Sequence, residues 1–289
     1  MPTAPYTTLI SPAQLQALQA SGAPLMVFDC SFDLTQPAQA DALFTACHIT
    51  GSQQAHLDRD LSAHVPAEAV NGGRHPLPTR EHFAAWLGRT GFGNGMQAVV
   101  YDRNGCNYCG RLWWMLKWAG HDAVAVLDGG LAAWQAAGGA TESGPARPHP
   151  PTTFTLGQPL RRLVLQSEVI AQLESPAQTL IDARGAPRYR GDTEPLDPVA
   201  GHIPGALNRP FTDNFTADGR FKPAHQLQAE FNALLAGRDP ASAVHHCGSG
   251  VSAIPNVLAM ELAGFGPGAL YAGSWSEWSR TPGLPVQKG

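Results

Sequence analysis

Residues 98–102 read AVVYD and residues 243–247 read AVHHC, half a chain length apart in 289 residues. Each is a short β-branched run ending on one chemically active residue, Asp102 in the first and Cys247 in the second. Each is followed by a glycine-containing loop and a helix-like segment, RLWWMLKWAGH (111–121) and IPNVLAMELAGF (254–265). Working outward, further landmarks recur in the same order. Upstream, LMVF leads into Asp29-Cys30-Ser31 and TLI into Asp182-Ala183-Arg184, and at nearly equal spacing beyond them stand His48 in CHITG and His202 in GHIPG. Downstream, VAVLDGGLAAW (124–134) and ALYAGSWSEW (269–278) each give an apolar stretch, a glycine turn and a tryptophan helix. Ordered landmarks of this kind define an internal duplication. Between them lie helical patterns such as TREHFAAWLGRTG and PAHQLQAEFNALLAG. Short buried strands alternating with helices predict an α/β fold with mostly parallel sheets.

Composition narrows the function classes. The chain is 43% hydrophobic and 15% charged, with 31 glycines and 25 prolines, a turn-rich globular profile. Nineteen basic against 23 acidic residues give a net charge of −4, and no Lys/Arg run offers the electrostatic footprint of a nucleic-acid binder. The start, MPTAPYTTLI, lacks a basic region followed by an apolar stretch, and no apolar run approaches the ~20 residues of a membrane span. The expectation is a cytoplasmic protein with neither nucleic-acid nor membrane partners. Five cysteines, an odd number, argue against a secreted disulfide scaffold and leave at least one thiol free. TESGPARPHPPT (141–152) is rich in proline and poor in large apolar residues, the composition of an exposed linker between the copies.

The candidate chemistry sits at Cys247. A strand ending in HHC, the loop GSGVS and a helix starting near Ala253 place a thiol at the carboxyl end of a strand, where open α/β sheets bind ligands. Gly248 and Gly250 let the loop curl so that backbone N–H groups converge on the sulfur and favour its thiolate. The alternative is a buried structural cysteine. A phosphatase would need an arginine six residues after the cysteine to clamp phosphate, and that position is Ala253. In the first half, Asp102 stands where Cys247 stands in the second, so no sulfur can be carried there. Cys106 and Cys109 read as a redox pair, as half of a zinc site or as two incidental thiols; no second cysteine pair supports zinc. No metal and no cofactor are expected. His48 and His202 hold equivalent places and read as turn braces. Strand alternation sends His245 and His246 to opposite faces. Trp113, Trp114, Trp118, Trp134, Trp275 and Trp278 read as packing residues.

The segments CGSGVSA, DAR followed by RYRG, GHIPGALN and LYAGSWSEW resemble those of tandem-domain rhodanese-like sulfurtransferases, and CGSGV resembles the loop of the 3-mercaptopyruvate branch. The likeness runs nearly end to end, taking in HLDRDL, RHPLP and RLWWMLKWAGHDAVAVLDGG. It implies two rhodanese-like α/β domains: an inactive one at 1–140, a linker at 141–158 and a catalytic one at 159–289. It further implies that Cys247 carries sulfur as a persulfide, stabilised by the loop residues Gly248, Ser249, Gly250, Val251 and Ser252. Arg188 of RYRG matches the family's substrate-binding arginine. Arg184 matches a second arginine near the site, either a ligand contact or a brace for the loop, with Asp182 as a loop-positioning acceptor. A relay of Ser249, His75 and Asp60 is implied for moving the proton.

One position departs from the resemblance. The 3-mercaptopyruvate branch places a clamp arginine after an EP pair, whereas this chain reads GDTEPLDPVAGHIPG, with Leu196 and Asp197 there. Either another arginine such as Arg59 or Arg74 takes over, or carboxylate recognition is weaker. The neutral Gly248-Ser249 pair still suits a monocarboxylate, where thiosulfate-preferring relatives carry CRKGV. The expected reaction moves sulfane sulfur from a small anionic donor, 3-mercaptopyruvate, to cyanide or to a thiol, including a thioredoxin-like one. Thiosulfate is the alternative donor. The reading from another class is a persulfide carrier or partner-binding protein without turnover of a small donor.

Overall fold

The structure, a computed structural model, describes residues 4–289; the first three residues of the MPTAPYTTLI start lie outside it. The first half contributes strands β1 (Leu9–Ile10), β2 (Leu25–Asp29), β3 (His48–Ile49), β4 (Gln53–Gln54), β5 (Gln97–Tyr101), β6 (Val124–Leu127) and β7 (Thr141–Glu142). The second contributes β8 (Leu163–Val164), β9 (Thr179–Asp182), β10 (Leu207–Asn208), β11 (Ala243–His246) and β12 (Ala269–Tyr271). The main sheet of the first half has the order β1-β6-β5-β2-β4, and that of the second, read from its other edge, β8-β12-β11-β9-β10. Every pairing in both is parallel. Matching the strands by place in the sheet pairs β5 with β11, so the sequence duplication is a duplication of topology.

Parallel strands covered on both faces are buried along their whole length, and the central ones are: all five residues of β5 and all four of β11 are buried, with Gln97, His245 and His246 the polar members among them. Around them, Val27, Val99, Ala125, Leu127 and Trp134 form one core, and Leu180, Val244, Tyr271, Trp275 and Trp278 the other. The six tryptophans named above are all buried. The paired histidines do the same work in each copy. His48 stacks on Phe44 and its Nδ1 lies 2.8 Å from the Phe44 carbonyl, while His202 stacks on Tyr189 with Nδ1 2.8 Å from the Tyr189 carbonyl. They brace turns.

Two compact units result, but their limits are not those of the linear halves. The first takes the chain through Ala63, then Pro78–Leu160 and Thr216–Arg220; the second comprises His64–Leu77, Arg161–Phe215 and Phe221–Gly289. The stretch RHPLP therefore belongs mostly to the second unit. It is held there by main-chain bonds to side chains of the tryptophan helix: Gly72 N–H donates to Glu277 Oε1 at 2.7 Å and Arg74 N–H to Ser276 Oγ at 2.9 Å. The expected linker at 141–158 also differs. Thr141–Glu142 pairs with β3, and Thr152 and Gly157 donate to the carbonyls of Gly88 and Ala119, so the proline-rich run is bound to the first unit by its backbone. Composition registered its exposure and missed these bonds.

Asp102 shows what the strand-end loop demands. Its Oδ1 accepts the N–H groups of Asn104 and Cys106 and its Oδ2 those of Tyr108 and Cys109, at 2.8–3.0 Å. The loop of the first copy is an anion cradle filled by its own carboxylate. Asp102→Ala strips an acceptor from four buried or part-buried donors and should destabilise the first unit by about 3 kcal/mol. Thermal unfolding will register the loss, with the reactivity of Cys247 unchanged.

Candidate active site

The second copy carries Cys247 at the same place, one residue past β11. Its main chain is clamped on both sides. Cys247 N–H donates to Ser274 Oγ (3.1 Å), while the carbonyls of Cys247 and Gly248 accept the N–H groups of Trp275 (3.0 Å) and Ser276 (2.8 Å). These three donors and acceptors come from the start of the helix Ser274–Trp278. To present them, Ser274 sits at φ +56°, in the left-handed region, and its hydroxyl donates to the Tyr271 carbonyl. In the first copy the corresponding residue is Gly130 at φ +58°, and Leu131 N–H reaches the Asp102 carbonyl in the same way. Ser274 escaped the sequence reading; the alignment of the two copies, glycine opposite serine, was the signal that could have found it.

The loop curls back at Gly250, which has φ +72° and comes so near the Ala272 carbonyl that a Cβ would sit 2.2 Å from its oxygen. Only glycine meets both conditions. The curl directs Ser249 N–H onto Cys247 Sγ at 3.4 Å. Ser249 Oγ lies 2.8 Å from His75 Nδ1, and both residues are buried. Two members of the expected relay are thus hydrogen-bonded. Asp60 lies in the first unit, where its carboxylate accepts His56 N–H and the Arg59 guanidinium. Val251 is buried and Ser252 half-buried along the same loop.

Over the loop stands an ion-paired network. Arg188 donates to both carboxylate oxygens of Glu194 and approaches Asp197 at 3.4 Å. Arg74 and Arg280 each reach Asp197 Oδ1 at 2.9 Å. Arg184 is buried deeper: it pairs with both oxygens of Asp182, donates to the Gly201 carbonyl and to Glu194, and lies 4.7 Å over the Trp275 ring. Burial opposes its charge, but Asp182 and then Glu194 outweigh that cost and raise its pKa, and a charge on Cys247 acts in the same direction. Burial also works against ionising Asp182, yet His246 and Arg184 hold its carboxyl below the usual range. Of the two readings left open for Arg184, the geometry is that of a brace. Arg59 pairs with Asp41 and Asp60 in the first unit. Arg190 is half exposed and pairs with Asp192.

His245 and His246 are both buried. His245 Nε2 lies 3.1 Å from Met260 Sδ, and burial, then His246 and Arg209, push its imidazole down to about 3. Burial likewise lowers His246, against the attraction of Asp182. Neither is placed as an acid near neutral pH. In the first unit, burial raises the thiols of Cys30 and Cys109 well above the ordinary value, and all five cysteines are unpaired. Among the described residues no cluster of metal-ligating side chains is found, and no helix is long and apolar enough to cross a membrane.

A duplicated parallel α/β architecture, with a cysteine at one strand-end loop and an aspartate at the other, defines the class, and comparison with known proteins agrees. The model of the rhodanese-like domain matches twice, at residues 11–137 and 165–281. The chain belongs to the rhodanese-like family. It is 46% identical over 279 residues to a Pseudomonas aeruginosa protein named "Probable 3-mercaptopyruvate sulfurtransferase", covering 96% of this chain and 97% of that one. With the mouse thiosulfate sulfurtransferase it shares 34% identity over 264 residues, 90% of this chain and 86% of the other. The Escherichia coli structure described as a 3-mercaptopyruvate sulfotransferase of rhodanese fold superposes with a TM-score of 0.79 at 29% identity, covering 94% of this chain and all of that one. The protein is a sulfurtransferase of two rhodanese-like domains.

The buried histidines give this unit a pH signature. The His245 pKa falls from about 6.5 in the unfolded chain to about 3 in the fold, so its neutral form contributes fully above pH 6.5 and stability is lost as pH falls toward 3. Between pH 7 and pH 4 the loss should be on the order of 3 kcal/mol. Melting curves of His245→Leu should show a visibly flatter decline over that interval, His246 supplying the remainder.

Proposed function

We propose that the second unit takes sulfur from 3-mercaptopyruvate onto Cys247 as a persulfide and passes it to cyanide or to a thiol. The observation that carries this reading is the Cys247 sulfur in a curled loop, bonded to Ser249 N–H and capped by guanidinium groups that face Gly248. In the first step the Cys247 thiolate attacks the donor sulfur; an S–S bond forms, the C–S bond breaks, and its electron pair leaves as the pyruvate enolate. That enolate takes a proton to give pyruvate. Ser249, joined to His75, supplies the proton route, with Asp60 the third member that the family resemblance implies. The acceptor then attacks the outer sulfur, the S–S bond breaks, and the Cys247 thiolate is restored.

Charge supports the choice of donor. In the ion-paired network four guanidinium groups, Arg74, Arg184, Arg188 and Arg280, meet three carboxylates, Asp182, Glu194 and Asp197. The single surplus positive charge, with no cation on Gly248 or Ser249, suits a monocarboxylate better than a dianion. Thiosulfate remains the second donor, in keeping with the name of the mouse relative. We place the protein in the cytoplasm, where five unpaired thiols persist and thioredoxin-like acceptors are at hand.

Thiocyanate formed from each donor and cyanide tests the reading. Wild-type protein should turn over 3-mercaptopyruvate with the higher kcat/KM, and Cys247→Ser should be inactive; full activity in that variant overturns the assignment. Arg188→Ala should lower kcat/KM for 3-mercaptopyruvate by the worth of a charge-assisted contact, about 2–3 kcal/mol. Ser249→Ala and Asp60→Asn should lower kcat by roughly a hundredfold with little change in KM. A protein that gains one sulfur atom by intact mass from a partner enzyme, and turns over neither donor, is a carrier instead.

A further inference from the structure

Asp197 stands where the resemblance calls for a clamp arginine, and its side chain is fully buried. A buried carboxylate must be matched by cations. Three converge on it: Arg74, Arg188 and Arg280. Arg280 is half exposed, and its Nη1 bonds both Asp197 and the Ser276 carbonyl. Arg74 is held differently. Its side chain is one-fifth exposed, its Nη1 pairs with Asp197, and its Nε is buried with no hydrogen-bond partner. Its Nη2 faces the residue next to the nucleophile: a methyl group on Gly248 would lie 3.1 Å from it, and 3.5 Å from Arg188 Nη1. Two guanidinium groups therefore flank the backbone immediately after Cys247. Arg188 enters from the segment Ala186–Arg190, and Arg74 from the stretch 64–77, which sequence order assigns to the other half.

We infer that Arg74 is the second anion anchor of the donor site and that Asp197, by reversing the sign of the family's clamp position, is the positioning residue that holds it there. The inference rests on the proposed reaction for the identity of the donor and on the geometry alone for the anchor. Arg74 binds the carboxylate end of the donor beside Arg188 through its Nη2–H groups, while Asp197 fixes the guanidinium plane through Nη1. The absent clamp arginine is thereby replaced by a cation of different chain origin acting on the same small volume. Gly248 leaves this volume open, since a methyl group there would already lie 3.1 Å from Arg74 Nη2 and 3.5 Å from Arg188 Nη1.

Two readouts separate this inference from the proposed reaction. The first is turnover: Arg74→Ala should raise KM for 3-mercaptopyruvate at least tenfold with kcat within about threefold of wild type, and Arg74→Lys should recover part of the loss. The second needs no turnover. Alkylation of Cys247, followed by mass spectrometry of its peptide, is compared for iodoacetate, which carries a carboxylate, and iodoacetamide, which does not. The ratio of the two rates should fall about tenfold in Arg74→Ala and by an intermediate factor in Arg74→Lys and in Asp197→Asn. Circular dichroism and the iodoacetamide rate itself report whether each variant keeps its fold and its loop. A ratio unchanged in a folded Arg74→Ala overturns the anchor even if turnover is robust. A ratio that falls while neither donor is turned over leaves the anchor standing and overturns the proposed reaction.

Discussion

Where a parallel strand ends and the chain turns into a helix, backbone N–H groups lose their ladder partners and something electron-rich must sit among them. Both copies in this chain are organised by that requirement. In the first, the Asp102 carboxylate collects four N–H groups and closes the cradle. In the second, a sulfur takes the place of the carboxylate and accepts Ser249 N–H. The same architecture thus holds a carboxylate in one copy and a thiol in the other, and the helix start beyond each loop, Gly130 or Ser274 in the left-handed region, holds the strand-end carbonyl in both.

The electrostatics follow from the same economy. A chain of net charge −4 has no overall positive field, so positive charge is concentrated in a few guanidinium groups above one loop. Those groups are in turn held in place by carboxylates. Glu194 orients Arg188, Asp182 locks Arg184 and Asp197 gathers Arg74, Arg188 and Arg280. Side chains held in this way are ordered in advance, which removes part of the entropy cost of any contact they make.

Much of the fold was legible in the sequence because its markers are local. Apolar runs such as LMVF, AVVY and AVHH give strands, and the paired order of DCS and DAR, CHITG and GHIPG gives the duplication. The curled loop at Cys247 was legible because a cysteine, two glycines and a helix start are contiguous. What escaped was whatever depends on chain segments meeting from far away. Asp197 read as unable to hold a carboxylate, which is true of its own charge, but its role is to collect arginines from positions 74, 188 and 280. The binding of residues 141–158 to the first unit escaped for the same reason, since its hydrogen bonds go to carbonyls whose sequence carries no signal.

The second compact unit includes fourteen residues, His64–Leu77, drawn from the first half of the chain. As a matter of inheritance, the working module is therefore not a contiguous stretch of gene. A recombination that copied residues 159–289 elsewhere would transfer the cysteine loop, Arg188 and Asp197 but leave behind Arg74 and His75. The first half thus supplies a part of the second unit, although its own strand-end loop is closed by Asp102.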